Sequence, residues 1–156
     1  MMKTKLSQLQ DVPVKIGLPS SLANPIKPER FAGKREAQLA KAVAITQFGV
    51  NHVELAPGAI SSLRHWHEHE DEFVFVLSGE LTLIDENGEH SMVAGSFAGF
   101  PASLPNAHHL ANKSKAPAAF IVVGTRKRGE EIVHYPYDPV GPVSITRDET
   151  GARIPT

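Results

Sequence analysis

The chain of 156 residues predicts an all-β fold closed as a sandwich or barrel. Three observations carry this expectation. From Ile45 onward, short segments rich in branched and aromatic residues follow one another. Turn-forming residues separate them at short intervals. No long amphipathic stretch interrupts the series. The length suits one domain with a core of its own, and an apolar share of 41% is ordinary for a globular chain.

Residues 1–44 read as an irregular arm packing on the barrel, because Pro13, Pro19, Pro25 and Pro28 fix φ and remove backbone donors. Within the arm, residues 35–44 (REAQLAKAVA) suit either one short helix or a loop ending in a strand. Residues 45–135 form the barrel. Its first strand is 45–55 (ITQFGVNHVEL), closed by Pro57-Gly58, followed by a short extended piece at 63–67. Residues 72–77 (EFVFVL) make a strand, and Ser78-Gly79 a tight turn into 80–85 (ELTLID). Asn87 and Gly88 both tolerate positive φ and so predict a hairpin, with 89–93 returning. Residues 96–100, 108–112 and 118–125 (AAFIVVGT) complete the set. Residues 136–156, with Pro136, Pro139, Pro142 and Pro155, form a tail. Phe73, Phe75, Phe97 and Phe100 are expected in the core.

A formal net charge of -1 argues against a nucleic-acid partner. The densest basic cluster, Arg126, Lys127 and Arg128, reads as a solvated turn after a strand. The absence of cysteine excludes disulfides, thiolate metal sites and cysteine nucleophiles. The first residues lack the apolar core of a secretory signal, and no apolar run reaches membrane-spanning length. A cytoplasmic protein with no membrane partner is expected.

Five of the eight histidines are clustered: His65, His67 and His69, then His108 and His109. Alternate side chains of a strand share a face, so His65 and His67 point the same way. If that face is the interior, two imidazoles converge, and neutral imidazole is a common ligand for divalent metals. Glu72 supplies a carboxylate once residues 68–71 bend, and Val74 and Val76 then also point inward. Two histidines and a carboxylate form a recurrent catalytic metal site. The stretch HWHEHEDE also suits a solvated surface loop that chelates metal adventitiously. On the strand at 45–55, Gln47, Gly49 and Asn51 share parity, making Gln47 and Asn51 candidate substrate-binding residues. Arg64 and Trp66 should face away from the metal, and His134 suits a pocket rim or a dimer contact.

Gly58, His65, His67, Glu72 and Gly79 resemble the first motif of the cupin family, with one extra residue between Gly58 and His65. Gly95, Pro101, His108 and Asn112 resemble the second. There Ser103 stands where a glycine is usual, and the stretch from Pro101 to His108 is two residues longer, with Pro105-Asn106 expected to supply the turn. The two motifs span about a third of the chain. The resemblance implies a double-stranded β-helix, a jelly-roll barrel holding one divalent ion (Zn, Fe, Ni or Mn) on His65, His67, Glu72 and His108. His108 is favoured over His109 by its distance to Asn112. The family is often dimeric, so a homodimer is implied. The segments LRHWHEHEDEFVFVLSGE, GFPASLPNAHHLAN and VGTRKRGEEIVHYP further resemble small bacterial cupins assigned as sugar-phosphate isomerases. Three functions are compatible: a metalloenzyme acting on a small polar metabolite, an iron-dependent dioxygenase, and a non-catalytic small-molecule-binding cupin.

Overall fold

The computed structural model describes residues 4–17, 29–137, 142–147 and 153–155. Among these, the strands in chain order are β1 (Val14–Ile16), β2 (Lys34–Gln38), β3 (Phe48–Leu55), β4 (Trp66–His67), β5 (Glu72–Ser78), β6 (Glu80–Asp85) and β7 (Gly88–Val93). They continue as β8 (Phe97–Phe100), β9 (His109–Ala111), β10 (Ala118–Thr125), β11 (Ile132–Tyr135), β12 (Val143–Arg147) and β13 (Arg153–Pro155). One sheet has the order β1-β2-β3-β10-β5-β8; two smaller ones have the orders β13-β12-β11-β4 and β7-β6-β9. Isolated bridges, Ile60 to Ala111 and His65 to His108, tie the segment before β4 to the β9 region. All named pairings are antiparallel, and the arrangement is a jelly-roll barrel.

The core lies between the large sheet and the β7-β6-β9 sheet. Val53, Leu55, Val74, Val76 and Phe120 meet Leu81, Leu83, Met92 and Leu110 across it. Each such side chain contributes roughly 1.5–3 kcal/mol by leaving water. Alternation places every second residue of β5 inward, so Glu72 joins Val74 and Val76 on the interior face.

Some local expectations are corrected. Residues 34–38 are strand, not helix, because pairing with β3 overrides the helical propensity of this stretch; the helix is confined to α1 (Glu29–Ala32) and α2 (Leu39–Ala42). β1 and β2 extend the large sheet at its β3 side. Pro19, Pro25, Pro28 and Pro139 lie outside the described residues. At the hairpin, Asp85 pairs with Gly88, so the loop is Glu86-Asn87. Gly88 alone of the Asn-Gly pair has positive φ, at 116°. The Asn87 N–H donates instead to Asp85 Oδ1 at 2.8 Å. Phe100 is buried, but Phe73 and Phe97 are 40% and 67% exposed and pair with each other on the outer face of the large sheet, ring centroids 5.9 Å apart.

Ser103 has φ of 64°, the left-handed region that favours glycine. The turn therefore stays at Pro101–Leu104, where the Leu104 N–H reaches Pro101 O at 3.4 Å. Pro105-Asn106 adds a tighter one, Asn106 N–H to Leu104 O at 2.7 Å. Ser103 is held by its own bonds: its N–H donates to His67 O at 3.0 Å and its hydroxyl to Glu68 O at 2.7 Å.

Candidate metal centre

His65 and His108 face each other as a hydrogen-bonded bridge, each N–H donating to the other's carbonyl at 3.2 and 3.0 Å. Their rings consequently emerge on one side, centroids 5.1 Å apart. His67, two residues on, shares that side, 5.0 Å from His65. The chain then bends through residues 68–71 and enters β5 with Glu72 pointing at the three rings. His67 Nε2 lies 3.1 Å and His65 Nε2 3.6 Å from Glu72 Oε2, and His108 Nε2 lies 3.8 Å from Oε1. Donor atoms of His65, His67 and Glu72 all lie within 4.8 Å of one another.

The outer nitrogens orient the rings. His65 Nδ1–H donates to Leu63 O at 2.8 Å, and His108 Nδ1–H to Asn106 O at 2.8 Å. Carbonyls only accept, so in the neutral rings both Nε2 atoms carry lone pairs toward the centre, and in the protonated rings both present N–H groups to Glu72. His108 Nε2 is buried with no hydrogen-bond partner. Phe100 stacks on the His108 ring, centroids 3.5 Å apart. His67 Nδ1 meets Glu131 Oε1 at 3.2 Å. Glu131 is fully buried, and its oxygens also accept the N–H groups of Glu68 and His69 at 3.1 Å each, which fixes the bend.

Burial alone would raise the Glu72 pKa, but the imidazoles of His108, His65 and His67 outweigh it and hold the carboxyl well below its usual range. Burial lowers the pKa of His65. Burial works the same way on His67, but its bonds to Glu131 and Glu72 prevail and raise it to about 9.

The donor set suits a divalent ion. Two ligands about 2.1 Å from one ion stand roughly 3.0–3.5 Å apart at tetrahedral or octahedral angles; the His67–Glu72 distance of 3.1 Å falls in that range, and those from His65 and His108, at 3.6 and 3.8 Å, are slightly longer. The unpartnered His108 Nε2 is the lone pair such an ion would take.

The remaining candidates lie elsewhere. His109 turns from the cluster and donates through Nδ1 to Ser62 O at 2.8 Å. His69 is exposed. Gln47 is exposed outside β3, where its carbonyl accepts the Arg126 N–H at 3.0 Å. Asn51 pairs with Val122 on the interior face, its amide 3.4 Å from Glu36 Oε1. Arg64 faces away from the cluster, bound to Ala107 O and Glu86 and lying over the Tyr137 ring. Trp66 stacks on His134, which also bonds Glu68 and Ser144.

The family model for the cupin domain matches residues 51–124. A crystal structure of a cupin-superfamily sugar phosphate isomerase from Silicibacter pomeroyi is 39% identical, with a TM-score of 0.83, covering 97% of this chain and 93% of that one. The chain is a cupin. A second crystal structure, from Acidithiobacillus ferrooxidans and provisionally named a sugar phosphate isomerase, is 26% identical with a TM-score of 0.77, covering 97% and 90%. The cupin domain of an XRE-family transcriptional regulator from Enterobacter cloacae is 26% identical with a TM-score of 0.51, covering 62% of this cupin and 99% of that chain. No curated protein matches. The cupin motifs acquire physical meaning here. A Cβ at Gly79 (φ 74°) would lie 2.7 Å from Pro117 O. Asn112, which is buried, ties Leu55 O, Ala116 O and Ser114 together.

Sequence reasoning missed Glu131, and it preferred Glu72 among the neighbouring carboxylates Glu68, Glu70 and Asp71 without giving Glu70 a role of its own. It also placed Arg126 in a solvated turn, whereas its guanidinium lies against the inner face of the sheet at Gly49 and Gly124.

Proposed function

We propose that this cupin binds one divalent metal ion on His65, His67, Glu72 and His108 and is a metalloenzyme acting on a small polar metabolite. The observation that carries the reading is the buried, unpartnered Nε2 of His108 facing a carboxylate already shared by two imidazoles. A bound ion would supply Lewis acidity toward a substrate carbonyl or hydroxyl. The chain's own part is to orient three rings through Leu63 O, Asn106 O and Glu131 and to pack Phe100 against His108 and Tyr135 beside His65. Similarity to the Silicibacter pomeroyi protein supports a sugar-phosphate-isomerase-like reaction. An iron-dependent dioxygenase uses a similar donor set. Likeness to a regulator's cupin domain favours a second reading, a non-catalytic metabolite binder.

Metal analysis of protein purified without a histidine tag tests the centre. We expect a stoichiometric divalent ion that is lost in His67→Ala; a metal-free, well-ordered protein would sink the reading. A panel of sugar phosphates and keto acids, run with oxygen-uptake measurement, separates isomerase, oxygenase and binder. The exposed apolar face at Phe73, Leu77 and Phe97 supports a homodimer, checked by light scattering. Among the described residues no helix is long and apolar enough to cross a membrane, and a cytoplasmic setting accords with a chain free of cysteine.

A further inference from the structure

The β4–β11 pair brings one further polar side chain to the candidate metal centre. Val133 stands opposite His67, and His134 opposite Trp66. One step on in the same register, Tyr135 comes opposite His65. Residues opposite each other in an antiparallel pair share a face. Val133 and Tyr135 therefore lie on the side of His67 and His65, with His134 and Trp66 on the other. Ring contacts agree with that division: His134 stacks on Trp66, centroids 4.1 Å apart, while Tyr135 lies against His65, centroids 5.6 Å apart and planes at 36°. His65 Nε2 is in turn 3.6 Å from Glu72 Oε2. Tyr135 thus touches a candidate ligand directly.

The two β11 residues on this side differ in what they leave open. Val133 is buried opposite His67, whereas Tyr135 is half-buried. Solvent reaches the centre, since the side chains of His65 and Glu72 remain 12% and 17% exposed. Other polar side chains beside the rings are engaged. Ser62 Oγ lies 3.2 Å from His65 Nδ1, Glu131 holds His67 Nδ1, and Glu70 accepts the Lys127 N–H at 2.7 Å. The Tyr135 hydroxyl makes no hydrogen bond among the described residues. It also meets solvent, because His108 Nε2 is the one side-chain polar atom among them that is both buried and unpartnered. By contrast, the Tyr137 hydroxyl donates to Glu86 at 2.9 Å, its ring under Arg64. A phenol is a neutral donor at pH 7. An unengaged one beside a ligand ring can bond an incoming oxygen without first breaking a protein contact.

We propose that the Tyr135 hydroxyl is a substrate-binding group of the metal centre, donating a hydrogen bond to a carboxylate or carbonyl oxygen of the molecule bound there. The inference deepens the function proposed above and rests on it for the ion. Packing on His65 fixes the donor, and a hydrogen bond to a charged oxygen is the stronger kind. The substrate class is then small carboxylates and hydroxy- or keto-carbonyl compounds. An analogue with an apolar group in place of that oxygen would leave the hydroxyl unpaired and be rejected.

The test titrates acetate into full-length protein loaded with cobalt(II). Visible absorption of the cobalt reads acetate binding, and competition with a chromogenic chelator reads cobalt affinity. Tyr135→Phe keeps the ring on His65 and removes the hydroxyl. Acetate should then bind about tenfold more weakly, with cobalt affinity within twofold of wild type. Tyr137→Phe should leave both unchanged. Acetate affinity within twofold of wild type in Tyr135→Phe, or no saturable acetate binding by the wild type, overturns the proposal and leaves the metal reading standing. A matching loss of cobalt affinity overturns it too, since the hydroxyl would then serve the ion and not the substrate. Should Tyr135→Phe fail to fold, Tyr135→Gln and Tyr135→Leu decide: glutamine keeps a donor and should hold acetate more tightly, and equal affinities overturn the proposal. A wild type that takes up no cobalt sinks the metal reading. Calorimetry of acetate on that metal-free protein then decides for the tyrosine: binding weakened by Tyr135→Phe keeps its role, and absent or indifferent binding overturns it.

Discussion

Replacing Glu131 by glutamine isolates the carboxylate that lies one bond beyond the candidate ligands. Glu131 Oε1 accepts from His67 Nδ1 at 3.2 Å and from the Glu68 N–H at 3.1 Å; Oε2 accepts from the His69 N–H at 3.1 Å. Glutamine keeps the shape but turns one oxygen into an NH2. In the better orientation only the His69 N–H loses its acceptor, at about 1–3 kcal/mol for a buried unsatisfied donor. The two remaining bonds lose their charge assistance, so a stability loss of roughly 2–4 kcal/mol is expected in metal-free protein. Metal affinity should fall separately. A carboxylate behind a ligating histidine fixes its ring and raises its basicity, and its removal typically costs about 10–100-fold in affinity, or about 1.4–2.8 kcal/mol. Urea unfolding of the stripped protein measures the first quantity, and competition against a chromogenic chelator the second. A variant that loses stability but binds metal within twofold of wild type would reduce Glu131 to a brace for the bend at residues 68–71. Unchanged stability would refute the hydrogen-bond reasoning itself.

Three further outcomes are expected. Asn112→Ala leaves the buried Leu55 O without its donor and unties the Ala116 O and the Ser114 N–H of the neighbouring, largely exposed turn, and should cost about 1–3 kcal/mol; a loss below about 0.5 kcal/mol on thermal unfolding would contradict it. Ser103→Gly relieves a left-handed serine but removes its bond to Glu68 O, so stability should change by less than about 1 kcal/mol, whereas Ser103→Val keeps the strain, loses the bond and should cost at least about 2 kcal/mol by urea unfolding. In metal-free protein His67, raised from 6.5 to about 9, contributes stability that is full below pH 6.5 and lost as pH rises through 9. Glu72, lowered below 4.5, contributes stability that is present above 4.5 and lost on acidification. His65, lowered by burial, opposes stability below pH 6.5. Metal-loaded protein should lose less between pH 6.5 and 9, because the ion replaces the His67 proton; identical profiles for the two forms would contradict this.

Strand alternation was legible in the sequence wherever one face is buried. The segments ELTLID and AAFIVVGT coincide with β6 and β10, and Val74 and Val76 point inward with Glu72. What the sequence did not show depends on contacts between distant segments. His108 and His109 are both buried neighbours of like chemistry; the His65–His108 bridge, made by residues far apart in the chain, turns one ring toward Glu72. Lys34–Gln38 has good helix formers, and its strand conformation comes from five paired residues of β3. Arg126 stands in a basic run that resembles a solvated turn, because its glycine seat lies on β3 and β10. Phe73 and Phe97 satisfy every local rule for core residues and still face outward, since β5 alternates and Glu72 claims the other side.

Formal charge also bears on the kind of ion the centre would take. Glu70, Glu72 and Glu131 bring three negative charges around His67. Arg126 beside Glu70 supplies one positive charge, and a protonated His67 a second, so the metal-free cluster carries three negative against two positive. A net buried charge is costly. A divalent ion that replaces the His67 proton changes the positive side to one plus two, and the cluster balances at three against three. A trivalent ion would overshoot by one. Glu70 and Glu131 meet His67 at Nδ1, on the opposite side of the ring from Glu72 at Nε2, yet their charges help set which ion leaves the cluster neutral. The same sum gives a reason for Arg126 to stand beside Glu70: without it, even a divalent ion would leave one carboxylate uncompensated.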